Sequence, residues 1–224
     1  MGITSHKSRP LLRVPVKKLR DARLVVIAAE DTYATKQYFD SDIFQSSRIK
    51  IEVLETPTDE LSADKNRSSP EAVEQRLKNY IEKYDLQKDD ILCIMIDRDR
   101  WPERMLAEVS QKTFRKKRKN ILLAVSNPCF ELWLYLHVAE WPPSIQTISA
   151  QKMERMLRTL LGSYNKTNID IEKFRGRVLV ACERARKMDI KPTDRWPQQI
   201  GSHVYRLIDE IRNFCSLVDE GQSL

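Results

Sequence analysis

Three acids have types and spacing that could do chemistry. Glu30 directly follows the apolar run 23-RLVVIAA-29, and Asp97 and Asp99 close the run in 91-ILCIMIDRDRWPE-103. In extended chain, residues i and i+2 point to the same side about 6–7 Å apart, so Asp97 and Asp99 can face one point while Arg98 faces away. Three carboxylates brought to one place repel one another unless a cation sits among them, and hard oxygen donors suit Mg²⁺ or Mn²⁺. With no His or Cys cluster, zinc is disfavoured. A DRDR at a strand end, taken alone, is more often a solvated turn with local salt bridges, so the elements that position the acids decide its meaning.

Those elements alternate. The short β-branched run 23–29 reads as a buried strand, followed by a helix over 34–44 with Tyr38, Phe39 and Ile43 at helical spacing. A half-exposed strand over 49–56 leads through the polar loop 57–69 to a helix over 70–86. Ser69 is its expected cap, Pro70 its first residue, and Val73, Leu77, Tyr80, Ile81 and Tyr84 its apolar stripe. Strand 91–97, helix 103–114, the basic run 115-RKKRKN-120 and strand 121–126 follow. Asn127 and Pro128 are then expected to cap and open a helix over 129–141, apolar nearly all round and hence buried. This order predicts a mostly parallel, Rossmann-like, four-stranded sheet covered on both faces. Ligands in such sheets sit beyond the carboxyl ends of the strands, where all three acids lie.

The expected organisation is a basic arm at 1–22, interrupted by Pro10 and Pro15, an α/β core at 23–141 and a helical extension at 142–224 packed on it. The extension reads as helices over about 149–161, stopped by Gly162, over 170–188 with Phe174, Val178, Val180, Ala181 and Ala185 inward, and over 202–218 capped by Ser202.

Composition sets outer limits. The chain has 224 residues, 39 Lys and Arg against 32 Asp and Glu, and a formal charge of +7, which favours polyanionic partners such as nucleic acid. Only 5 glycines occur, and neither GxxxxGK[ST] nor GxGxxG is present, which argues against a P-loop nucleotide hydrolase. Four dispersed cysteines without a CxxC pair, no signal-peptide pattern and no long apolar run lead to the expectation of a reduced, cytoplasmic protein without membrane contact.

The succession of strand and Glu30, strand and DxD, and then 125-VSNPCFELWLYLH-137 resembles the RloB-like family of bacterial abortive-infection and anti-phage proteins, whose core is similar to a Toprim domain. SNPCFELWLYLH is the most specific part of the match. It is supported by 38-YF-39, 164-YNK-166, 181-ACERA-185 and 202-SHVYRLIDEI-211, so the resemblance spans roughly residues 23 to 211. It implies Mg²⁺-dependent phosphodiester cleavage or transfer, with Glu30 as general acid/base or metal ligand and Asp97 and Asp99 as metal ligands. Where the family reads approximately EGxxTE, this chain has 30-EDTYAT-35. Asp31 at the usual glycine either hinders close approach of phosphate or adds a ligand.

Glu131, in the first turn of its helix, either serves the helix dipole or faces the same cleft. Arg98, Arg100, Lys116, Lys117, Arg118 and Lys166 are candidate contacts to a polyanion. His137, on an apolar helix, reads as a core histidine, and Trp101 as packing or as a stacking platform for a base. The resemblance also implies a separately encoded AAA- or ABC-type ATPase as partner. The resulting expectation is a nuclease acting on RNA such as tRNA, or on DNA. The alternatives are a catalytically weak module that binds nucleic acid or a nucleotide, and a structural subunit that docks the ATPase.

Overall fold

The structure, a computed structural model, describes residues 22–56, 68–115 and 121–221. The arm expected at 1–22, apart from Ala22, most of the loop at 57–69, and Lys116, Lys117 and Arg118 of the basic run lie outside these residues.

The β-branched runs form the strands the sequence predicts: β1 (Arg23–Ala29), β2 (Ile49–Leu54), β3 (Ile91–Asp97) and β4 (Ile121–Asn127). All four are parallel in the order β2-β1-β3-β4. A fifth strand, β5 (Gly201–Ser202), adds antiparallel to the end of β4, so the expected four-stranded sheet has five strands. Two residues are too short to show any periodicity, which is why the region after 142 reads as helices alone.

Alternation along β1 divides the core. Leu24, Val26 and Ala28 face α2 (Pro70–Lys83) and α3 (Glu103–Arg115) through Val73, Leu77, Leu106 and Val109. Val25, Ile27 and Ala29 face α1 (Thr32–Phe39) and α4 (Phe130–Val138), and α5 (Ala150–Leu161), α6 (Val178–Met188) and α7 (Val204–Gly221) complete that layer. Seven α-helices thus flank the sheet among the described residues. None is long and apolar enough to cross a membrane.

Several boundaries depart from expectation. α1 begins at Thr32 because Asp31 caps it, and a short 3₁₀ turn at Asp42–Phe44 replaces its expected last turn. α2 ends at Lys83, leaving Tyr84 exposed. Asn127 does not cap α4; its amide donates to the Gln199 carbonyl at 2.9 Å, Cys129 takes the N-cap position, and Pro128 precedes the helix instead of opening it. The helix expected over 170–188 is broken by Gly176 at φ +70°, so α6 starts at Val178 and turns Val180 to solvent. Ser202 belongs to β5 and still receives the Val204 amide at 3.3 Å. Ser69 and Ser149 cap α2 and α5 through their hydroxyls, and Gly162 ends α5 at φ +73°.

Candidate active site

β1 is paired with β2 on one side and β3 on the other, so the connections leaving β1 and β3 diverge to opposite faces: α1 in one layer, α3 in the other. That is a topological switch point, where open parallel sheets bind ligands beyond their carboxyl ends. Glu30 and Asp97 terminate these two neighbouring strands. The register places Ala29 opposite Met95, and the Glu30 amide donates to the Met95 carbonyl at 3.0 Å. A cleft of about 960 Å³ opens there, lined by Glu30, Asp31, Asp97, Asp99, Arg100 and Lys166 among others.

The three core acids meet in this cleft. The Asp97 amide donates to Glu30 Oε2 at 3.1 Å, which ties the two strand ends together. The Asp99 amide donates to the Pro128 carbonyl at 3.2 Å, seating the DxD turn on the loop between β4 and α4. Burial pushes the Glu30 carboxyl up to about 7, against the indole of Trp101 and the Asp97 amide, which favour the ionised form; Asp99 adds to the rise. Burial also pushes Asp97 well above the usual carboxylate range, reinforced by Glu30, Glu131, Asp31 and Asp99. Asp99 is raised by burial too, with Arg100 and Lys166 opposing. The site therefore holds negative charge that is stabilised incompletely by its own cations.

Lys166 lines the cleft and is also paired with two of the acids beside it. It lies in the loop after α5, and its Nζ pairs with Glu131 Oε1 at 2.7 Å and Asp31 Oδ2 at 3.1 Å. Burial alone would lower its pKa, but Glu131 and Asp31 more than reverse that. Glu131, fully buried in α4, also accepts from the Tyr164 hydroxyl at 3.1 Å. Asp31 uses its other oxygen to accept the Tyr33 and Ala34 amides at 3.0 and 3.2 Å, so the residue at the usual glycine position is first a helix cap.

Arg98 and Arg100 part company. Arg98 donates to the Pro197 carbonyl at 2.5 Å and to Gln198 Oε1 at 3.3 Å, securing the loop before β5, whereas Arg100 lines the cleft. Trp101 is half-buried against the α2–α3 side of the core. His137 is the core histidine expected: its ring nitrogens bond the Tyr38 hydroxyl and the Trp133 carbonyl, both at 2.9 Å.

Sequence reading missed two supports. Arg76, on α2, donates to the Ala29 carbonyl at 2.7 Å and to Thr56 Oγ1 at 2.9 Å, joining the ends of β1 and β2 beside Glu30. Gln37, on α1, donates to the Lys166 carbonyl at 2.7 Å and accepts the Ile169 amide at 2.9 Å. Neither residue carries a pattern of its own. The one available signal is that Gln37 falls in the same turn of helix as Tyr33 and Lys36, beside the first acid.

Among the described residues no group of three or more His, Cys, Asp or Glu is arranged to hold a metal ion. Mg²⁺, however, is usually held by one or two carboxylates together with water and substrate phosphates. Asp97 and Asp99 provide such a pair. Both carboxylates line one cleft, so in donor chemistry the residues fit a hard divalent ion.

The fold and the cleft define an α/β protein with an acid-lined site at the carboxyl edge of a parallel sheet. The family model described as RloB-like protein matches residues 25–211, and the chain belongs to that family. No curated protein and no solved structure matches it significantly.

Proposed function

We propose that the protein is a Mg²⁺-dependent nuclease of Toprim type that cleaves phosphodiester bonds in RNA, such as tRNA, or in DNA as an effector of anti-phage defence in the cytoplasm. The observation that carries this reading is the convergence of Glu30, Asp97 and Asp99 on one cleft at the switch point. Asp97 and Asp99 would hold the divalent ion, which when bound supplies Lewis-acid activation of phosphate and water. Glu30, at about 7, is poised to take up or release a proton at neutral pH through its carboxylate. Arg100 and the Lys166 ammonium supply positive charge to a phosphate backbone at the cleft wall. Control by nucleotide would come from a separately encoded AAA- or ABC-type ATPase, since this chain has no GxxxxGK[ST] sequence.

Incubating the full chain with tRNA, single-stranded RNA and plasmid DNA in Mg²⁺, Mn²⁺ or EDTA tests the proposal and assigns the substrate. Cleavage lost in EDTA is expected. Binding of the same nucleic acids with no cleavage in any metal would favour a binding module instead.

A further inference from the structure

We infer that Lys166 takes the place of a second divalent cation, so that the cleft holds a single metal ion on its Asp97–Asp99 side. This rests on the metal-dependent reading above and goes beyond it by assigning the stoichiometry of the site and the residue that sets it.

Five of the acids at this end of the sheet, those around the ends of β1 and β3, fall into two groups. Glu30, Asp97 and Asp99 are linked through strand ends and the DxD turn. Asp31 and Glu131 are bridged by one ammonium, at 3.1 and 2.7 Å. Where phosphoryl-transfer enzymes use two ions, the ions sit about 3.5–4 Å apart, so a second ion would draw on neighbouring carboxylates of this kind. Here that demand is met by lysine. One Asp31 oxygen is committed to the cap of α1, and Glu131 Oε1 is shared between Lys166 and Tyr164. Glu131 Oε2 is buried without a hydrogen-bond partner, an acceptor that makes loss of the adjacent positive charge costly.

Lys166 is also built into position. Gln37 grips its loop from α1 at both the Lys166 carbonyl and the Ile169 amide, and the side chain is 37% exposed, toward the cleft. An ammonium has three donors; Asp31 and Glu131 take two, leaving one for an anionic oxygen in the cleft. A divalent ion entering between Asp31 and Glu131 would have to expel this charge and break two charge-assisted hydrogen bonds.

The test is a titration of the full chain with Mn²⁺ alone, with free ion followed by electron paramagnetic resonance and folding checked by circular dichroism. One ion per chain is expected for the wild type. Asp31→Asn, which preserves an N-cap, should also bind one ion, because Asp31 is not a ligand. Lys166→Met should bind two. Two ions on the wild type, loss of the ion in Asp31→Asn, or one ion in folded Lys166→Met would each overturn the inference. If Lys166→Met does not fold, Lys166→Gln, which removes the charge and keeps a hydrogen-bond donor for Glu131, replaces it and should likewise bind two ions, one ion on the folded variant overturning the inference. No ion on the wild type would remove the metal reading itself along with this inference, an outcome distinct from the others.

Discussion

Arg98 and Arg100 flank Asp99, yet one holds a loop and the other faces the cleft. Arg98→Ala should lower stability by about 1.5–3 kcal/mol, the range for a charged hydrogen bond, and leave the salt dependence of nucleic-acid binding unchanged. Arg100→Ala should leave stability nearly intact and reduce the slope of log affinity against log salt by about one. Urea denaturation and binding titrations at several salt concentrations separate the two. The alternation that turns Arg98 away from the acids was legible in the sequence; its partner, a loop about a hundred residues downstream, was not.

His137 makes a pH-dependent contribution. Burial lowers it from 6.5 to about 4, so below pH 6.5 the unfolded chain takes up a proton that the folded chain refuses. Its contribution is present above pH 6.5 and is lost as the pH falls toward 4, the loss reaching about 2 kcal/mol by pH 5. In His137→Gln the stability difference between pH 7 and pH 5 should shrink by about that amount. An unchanged difference would show that the histidine is not held neutral.

At the scale of elements, regular periodicity was readable and interruptions were not. β1, β3 and α5 fall within a residue of expectation, because β-branched runs, a serine cap and a terminal glycine are local signals. The expected helix over 170–188 fails at Gly176, whose φ of +70° lies in the left-handed region. A Cβ there would meet nothing within 4 Å, so Gly176→Ala should cost about 1 kcal/mol from backbone strain alone, read by urea denaturation. No loss would mean that the break comes from tertiary packing. β5 was invisible for another reason: it exists through Ser126 and Ser202, whose hydroxyls meet at 2.9 Å, and through pairing with β4, both long-range.

For the whole molecule, the helices after 142 share the core of the sheet. Met153, Leu157, Phe174, Ala181 and Ile208 pack in one cluster with Trp133, Leu132 and Tyr38. Truncation after Trp141 should therefore give a chain that fails to fold, seen as loss of dispersed amide resonances, because α4 is buried from Phe130 to His137 and would lose the partners that cover it. A folded 1–141 fragment would contradict that. The candidate acids were legible from their strand ends, since each follows an apolar run. What the sequence left open was their company: strand order brings Glu30 beside Asp97, and α4 with the loop after α5 bring Glu131 and Lys166 behind them.

The central claim is that the carboxylates at the switch point drive metal-dependent phosphodiester cleavage, and Asp97 lies at its centre. The most direct measurement is the cleavage rate of the substrate found in the nucleic-acid panel, in Mg²⁺ and in EDTA, for the wild type and Asp97→Asn. The wild type should cleave in Mg²⁺ alone, and Asp97→Asn should be slower by at least about a hundredfold, the scale for losing one preorganised charge. Cleavage that persists in EDTA, or that Asp97→Asn leaves unchanged, would contradict it.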